Sequence, residues 1–406
     1  MLINFSRKYF KPFINHIKSL QKRERRYNIN SIFELMLRIN VDSVRIRCEE
    51  VARSTKLADA SSGNISYWMS QIYNVSNAHD MLFKPTVHKP PNCIAAVDGT
   101  CISIALKNKH GVSVGGATIS SILDINSGAF IDYKVSYNLN ENDALSQQLF
   151  QFTRNDLLIG DRNYGNYKLM KLMYNKVGFL FRIKSSNLIY KNLIKSSKSS
   201  MIVDHEGMKL KIIRYIVDRR TRKIIKAHWE TNKINNSEDD LSIFVLCTND
   251  ICRSEAQLID LYKQRWKIEP AFGSLKSNFD IRKPIRTNNC KNFKNMLNFK
   301  LALSYCMFNL ARSMKNKVDQ TKRKCRFTQC VAAIRTALCE QIHRHRYTSI
   351  TKSYVDKIYR RIGRNPAPIM RETSQCYDRT NILYQKRRGR HKSVNTIIVE
   401  NEMIPT

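Results

Sequence analysis

Residues Cys93 to Leu106 read CIAAVDGTCISIAL. Apolar and small residues fill this run around a single acid, Asp98, and the prolines of KPTVHKPP (Lys84 to Pro91) set it apart from what precedes it. A short apolar run bounded by breakers fits a buried strand better than a helix. An aspartate inside a buried strand is costly unless a cation offsets it, so the stretch that marks the fold also marks a candidate site. Two strand-like pieces follow, GATISSILDI and AFIDYKVS, joined by Asn126, Ser127 and Gly128 in a hairpin signal.

Beyond the hairpin, NENDALSQQLFQFTRN (Asn140 to Asn155) has helical spacing, DLLIGD (Asp156 to Asp161) is a short apolar strand ending on a second acid, and NYKLMKLMYNKVG is an amphipathic helix leading to the strand FLFRIK. The order strand, strand, strand, helix, strand, helix, strand predicts an α/β fold with a ribonuclease-H-like mixed sheet, although periodicity alone leaves other α/β folds open. From residue 186 to 250 the pattern turns to short β-like pieces among charged turns, read as a β-rich insertion whose last strand rejoins the main sheet. SEAQLIDLYKQRWKIE then resumes a helix, with Ser254 and Gln257 spaced as a capping box, and NFKNMLNFKLALSYCMFNLARSM continues as a second long helix. The predicted division is 1–88 (N-terminal, helical and DNA-binding), 89–185 (first part of the core), 186–250 (insertion), 251–316 (second part of the core) and 317–406 (basic, helical C-terminal region). Within the first unit, Glu49 to Ile72 resembles a helix-turn-helix, with an ordinary helical hairpin as the plain alternative.

The 406 residues hold 70 Lys+Arg against 33 Asp+Glu, a formal net charge of +37 and a pI near 9.9. Self-repulsion on this scale suits a polyanionic partner, nucleic acid first, with a membrane surface as the rival. No run approaches the length of a transmembrane span; the most apolar stretch, Met296 to Ala311, is broken by Lys300. The start shows no signal-peptide pattern, so a cytoplasmic protein is expected. The 11 cysteines form no Cys-x-x-Cys pair, which fits reduced thiols. Cys325, Cys330, Cys339, His343 and His345 could supply zinc ligands, but Cys330 and Cys339 sit among small apolar residues and read as buried helix cysteines. The basic tail ends in the clump Lys386 to Lys392, read as an exposed, phosphate-contacting arm.

The third acid lies in YKQRWKIEPAFGSLKS (Tyr262 to Ser277). As one continuous helix at 100° per residue, Tyr262, Arg265, Glu269 and Lys276 share a face roughly 60° wide, beside an apolar stripe of Leu261, Ile268, Phe272 and Leu275. Asp98, Asp161 and Glu269 together could hold two Mg²⁺ ions for in-line phosphoryl displacement, with Mn²⁺ able to substitute. Tyr262, Arg265 and Lys276 would then grip the DNA backbone.

The spacing Tyr262, Arg265, Glu269, Lys276, with Asp98 in AAVDGT and Asp161 in GDRNY, resembles the insertion-sequence-four family of DDE transposases over about Ile94 to Ser313. The resemblance implies that Asp98, Asp161 and Glu269 are the catalytic, metal-binding triad, with a β insertion filling the long separation of Asp161 from Glu269. It implies that Tyr262, Arg265 and Lys276 contact phosphates at the transposon end; Trp266, which stacks on a displaced base or sits in the core, and Arg162 join them as candidate DNA contacts. A nucleoid-associated transposase of a bacterial insertion sequence, acting as a homodimer on terminal inverted repeats and target DNA by cut-and-paste, is the implied function. A related nuclease without strand transfer and an inactive DNA-binding remnant are the alternatives. Two departures stand out: Asn163 replaces the usual Gly after Asp-Arg, where its tolerance of left-handed backbone would help, and Pro270 follows Glu269, predicting a kink there.

Overall fold

The computed structural model describes residues 5–20, 29–38, 62–75, 78–108, 111–137, 141–187, 189, 191, 193, 198–218, 224–225, 241–279, 290–320 and 326–343. Helices α1 (Lys11–Ser19), α2 (Ile29–Arg38) and α3 (Ser62–Tyr73) precede strands β1 (Ile94–Asn108), β2 (Gly111–Asp124) and β3 (Phe130–Ser136). Then come α4 (Glu141–Ser146), β4 (Leu157–Gly160), α5 (Tyr167–Met173), β5 (Gly178–Arg182), β6 (Ser200–His205), β7 (Met208–Asp218), β8 (Ile224–Ile225) and β9 (Leu241–Thr248). Helices α6 (Glu255–Lys263), α7 (Ile268–Phe279), α8 (Cys290–Gln320) and α9 (Phe327–His343) follow.

The strands form one mixed sheet in the order β3-β2-β1-β4-β5-β9-β7-β6, with β8 pairing off this path to β7. β1 to β3 are antiparallel, β4 and β5 run parallel to β1, and β9 returns antiparallel to β5. The expected return of the last inserted strand is observed, and β7 and β6 follow β9 so that the β-rich stretch prolongs the same sheet. Side chains alternate across the pleat. Ala96, Ile159, Leu180, Leu246 and Ile213 pack on one face with α7, α8 and the N-terminal helices. Ala95, Val97, Leu158, Phe179, Phe181, Val245 and Ile212 pack on the other with α4 and α5. Both cores continue through β9 and β7, so the inserted strands share the burial that holds the sheet. α8 docks by a buried amide clasp: Asn309 accepts from the Phe130 N–H at 2.9 Å and donates to the Phe130 carbonyl at 2.9 Å.

Several local expectations are corrected. The helix expected over Asn140 to Asn155 shrinks to α4 and a 3-10 turn at Leu149–Gln151. Buried Gln148 is drawn instead into bonds with Ser120 and Asp132, and Gln151 also donates to Asp132, tertiary contacts that outweigh helix propagation. The hairpin turn at Gly128 has φ 68°, as its sequence predicts. Ser254 and Gln257 form the expected capping box of α6. Cys330 and Cys339 are buried in α9, and among the described residues no group of His, Cys, Asp or Glu is arranged to hold a metal. The first part of the helix-turn-helix candidate, Cys325, His345 and the Lys386 to Lys392 arm lie outside the described residues. No described helix is long and apolar enough to cross a membrane.

Asp156, at the start of β4, ties the sheet at its end away from the acids. Its buried carboxylate accepts the N–H of Cys93 at 2.8 Å, the N–H of Thr153 at 2.8 Å and the ammonium of Lys89 at 2.9 Å. Its carbonyl accepts from Gly178 at 2.9 Å, and Leu157 donates to the Cys93 carbonyl at 2.8 Å, so β1, β4 and β5 start level. Burial works to raise the Asp156 pKa, and the Lys89 and backbone hydrogen bonds outweigh it, leaving the group below its ordinary value. A depressed folded pKa contributes stability that is present above the unfolded value, near pH 4, and is lost as pH falls through the folded one. Asp156→Ala is expected to cost about 3 kcal/mol in urea unfolding at neutral pH and to flatten the acid limb of stability against pH. An unchanged acid limb would show that Asp156 does not carry it.

Candidate active site

Asp98 and Asp161 meet through strand register. β1 and β4 pair Ile94 with Leu157, Ala95 with Leu158 and Ala96 with Ile159; two residues further, the same register sets Asp98 beside Asp161, about one strand spacing (~4.8 Å) away. Both acids follow the parity of Ala96 and Ile159 and so emerge toward the face that α7 covers. Asp98 Oδ1 accepts from the Gly99 N–H at 2.9 Å. Asp161 Oδ1 accepts from the Asn163 N–H at 2.7 Å. The left-handed conformation expected of Asn163 is not adopted, since among the described non-glycine residues positive φ occurs at Asn92 and Glu206. What the turn needs from Asn163 is its N–H, aimed at the Asp161 carboxylate.

Glu269 arrives from an interrupted helix. α6 ends at Lys263, Gln264–Lys267 winds as a 3-10 segment, and α7 starts at Ile268. The kink expected at Pro270 is therefore displaced upstream. In a continuous α-helix the Pro270 ring would collide with the carbonyl four residues earlier, that of Trp266, and Trp266 lies in the tightened segment. Pro270 itself falls in the first turn of α7, where a missing N–H removes no intrahelical bond. The interruption also breaks the single helical face on which Tyr262 to Lys276 were aligned. Tyr262 and Arg265 are buried, Trp266 and Lys276 half-buried, and Glu269 and Arg162 exposed. The Lys276 ammonium lies 5.9 Å from the Phe272 ring centre.

Arg265 organises the charges. Its guanidinium reaches Glu269 Oε1 at 3.1 Å and lies 3.7 Å from Asp98 Oδ2, bridging two of the three acids. Its Nε is buried without a hydrogen-bond partner. Burial pushes the Asp98 carboxyl up to about 7; Arg265 opposes this, while the charges of Asp161 and Glu269 add to it. Burial likewise pushes the Tyr262 hydroxyl up to about 12 against Arg265 and Arg182. Arg182, at the end of β5 and 3.8 Å over the Phe244 ring, is a second cation at this rim that the sequence reading passed over; its trace was an Arg closing the apolar strand FLFRIK. Also unforeseen were Glu141 at the start of α4 and Tyr164 after Asp161, whose electrostatics couple to Asp161.

An aspartate inside β1 just beyond its pairing with β4, a second just past the end of β4 and a glutamate on the covering helix, with arginines among them, define an α/β protein with a polar site where parallel pairing stops. Residues 89–306, more than half of the chain, match the family described as Transposase DDE domain, and the chain belongs to that family. No curated protein matches it. Among solved structures it is similar to a piggyBac transposase synaptic complex with hairpin DNA, at 13% identity and a TM-score of 0.49, covering 91% of this chain and 84% of that one.

Pro270→Ala is expected to change unfolding free energy by less than about 1 kcal/mol, because the proline occupies a first turn. A gain near 3 kcal/mol, the usual relief on removing an interior proline, would place Pro270 inside a strained helix instead.

Proposed function

We propose that the chain is a transposase of the insertion-sequence-four type, cleaving DNA at terminal inverted repeats and joining the freed 3′-OH to target DNA by cut-and-paste. The observation that carries this reading is the level emergence of Asp98 and Asp161 from adjacent parallel strands with Glu269 linked to Asp98 through Arg265. The order β3-β2-β1-β4-β5, antiparallel then parallel, supports a ribonuclease-H-like core, with β6 to β9 as the insertion between the second and third acids.

The donor set fits hard divalent cations. Asp98, Asp161 and Glu269 offer only carboxylate oxygens, and Asp98 is held close enough to Asp161 and Glu269 for their charges to add to the effect of its burial. As the side chains stand, the described residues leave no three of them converging on one ion position, and Arg265 bridges Asp98 and Glu269. Asp98, Asp161 and Glu269 would hold two Mg²⁺, replaceable by Mn²⁺, which supply the Lewis acidity that in-line phosphoryl displacement requires. Arg265, between Asp98 and Glu269, and Arg182, over the Phe244 ring, are the candidate phosphate partners at the rim of the site. Tyr262, held among Arg265, Arg182 and Asp161, orients those guanidinium groups more than it touches DNA itself. Arg162, Lys276 and Trp266 remain candidate backbone and base contacts, and the net charge of +37 supports a polyanionic partner. Joining two ends calls for a homodimer on DNA, in a nucleoid-associated setting.

With Mg²⁺ and a duplex carrying the repeats that flank its gene, the protein is expected to nick the ends and transfer a pre-cleaved 3′-OH end. Asp98→Ala, Asp161→Ala and Glu269→Ala should each lower the rate by about a hundredfold or more. Nicking that persists in all three variants would sink the site. Nicking without strand transfer would move the reading to a nuclease.

A further inference from the structure

The turn between β2 and β3 is held from outside by cations and an amide. Lys267 donates to the Ile125 carbonyl at 3.3 Å and to Gln264 Oε1 at 3.0 Å, and Asn316 donates to the Ser127 carbonyl at 2.9 Å. Arg312, one turn before Asn316 on α8, comes to the next residue of the turn, Gly128. A Cβ built there would collide with Nη2 and Nε of Arg312 and lie 2.7 Å from its Cζ, so the guanidinium lies against the glycine. Gly128 thus serves twice: its φ of 68° turns the chain, and its missing side chain makes room for a charge.

That charge is unanswered. Among the described residues Arg312 makes no hydrogen bond or ion pair, and its Nε is buried without a partner. Asp319 is bonded to Lys315 at 2.6 Å. Asp124, the acid of the turn, is buried, and its carboxylate accepts the N–H groups of Asn126 at 3.3 Å and Ser127 at 2.9 Å. Burial lowers the Arg312 pKa, and the charge of Asp319 opposes this. Lys267 is exposed, and its two acceptors are both neutral. A half-buried guanidinium without a partner is costly, and a fold that keeps one leaves a place for an anion. A cation present only to hold the turn would bond its carbonyls, as Lys267 and Asn316 do; Arg312 does not.

We infer that Arg312 and Lys267, with Asn316 beside them, form a phosphate-binding site apart from the acids, which takes a backbone phosphate of duplex DNA. The inference rests on the proposed function and extends the DNA path beyond the reacting phosphate. Asp98 pairs with Ser121 and Ala95 with Asp124, so the turn lies past the start of β1, on the order of 13 Å from Asp98 along the strand. The segment Gln264–Lys267 spans the two places, carrying Arg265 at the acids and Lys267 at the turn. At about 3.4 Å per base pair, a duplex with one phosphate at the acids brings another near the turn about four base pairs along. A planar guanidinium beside an ammonium suits the oxygens of a phosphate.

The test measures binding of the full chain to a duplex of unrelated sequence, without divalent cation, over a range of salt. Arg312→Gln and Lys267→Gln are each expected to lower the slope of log affinity against log salt by about 0.9, and the double variant by about 1.8, as for one and two phosphate contacts. Arg312→Lys keeps the charge and should keep the wild-type slope. Lys171→Gln, on α5 across the sheet, should leave the slope as it is. A wild-type slope in both Arg312→Gln and Lys267→Gln, whatever their melting temperatures, or an equal drop in Lys171→Gln, would overturn the site and leave the proposed function standing. A rise in melting temperature with inorganic phosphate that Arg312→Gln removes, with the DNA slope unchanged, would assign the site to a free anion and overturn the DNA contact. A wild-type chain that binds no duplex would overturn the DNA reading itself.

Discussion

The register between β1 and β4 is the constraint on which the rest depends. Two carboxylates on different strands become neighbours only if those strands start level, and the Asp156 clasp on Cys93, Thr153 and Lys89 sets that start. A slip of one residue would turn Asp98 or Asp161 to the other face, because side chains alternate along a strand. The clasp lies where β1 and β4 begin and the acids where their parallel pairing stops, so the structural carboxylate and the site carboxylates are separated in space as well as in environment. Asp156 is fully bonded and held below its ordinary pKa, whereas Asp98 is raised to about 7.

The site is built from charges that the fold leaves unbalanced. Arg265 sits at the junction, bonded to Glu269 and longer from Asp98. Its own burial would lower its pKa; Tyr262 and the surrounding acids outweigh this and hold it charged. Its position follows from the 3-10 segment, which in turn follows from Pro270. One proline thus decides which way an arginine points, through the tightening it imposes on the residues before it.

Much of this was legible in the sequence, for reasons that can be traced. CIAAVDGTCISIAL and DLLIGD read as strands because apolar runs with a terminal or central acid have few other places to go, and the Ser254 box announced the start of α6 by local chemistry alone. The interruption at Gln264–Lys267 was hidden because a 3-10 turn keeps helix-like apolar spacing over so few residues. Glu141 was hidden because an acid at the start of a helix is ordinary in sequence; only its packing against Gly99, two elements away, sets it apart. Asn163 misled in another way: residue type suggested a backbone conformation, whereas the turn uses a main-chain hydrogen bond that any residue but proline could give. In each case the missed feature depends on a partner distant in the chain, which no local pattern records.

The interposition of β6 to β9 also orders the site in time. Asp98, Glu141 and Asp161 are synthesised within one stretch and can come together as soon as β1 to β5 pair, but Arg265 and Glu269 follow only after the inserted strands have been made. Until then the early part of the sheet carries its acids without the guanidinium that later offsets them, and the strand β5 waits without its neighbour β9. Sheet completion and charge compensation therefore arrive together, as a late, non-local step of the kind that slows folding. A chain interrupted before α6 would retain the acidic cluster but lack the cation that makes it tolerable, which couples completion of the polypeptide to stability of its candidate active centre.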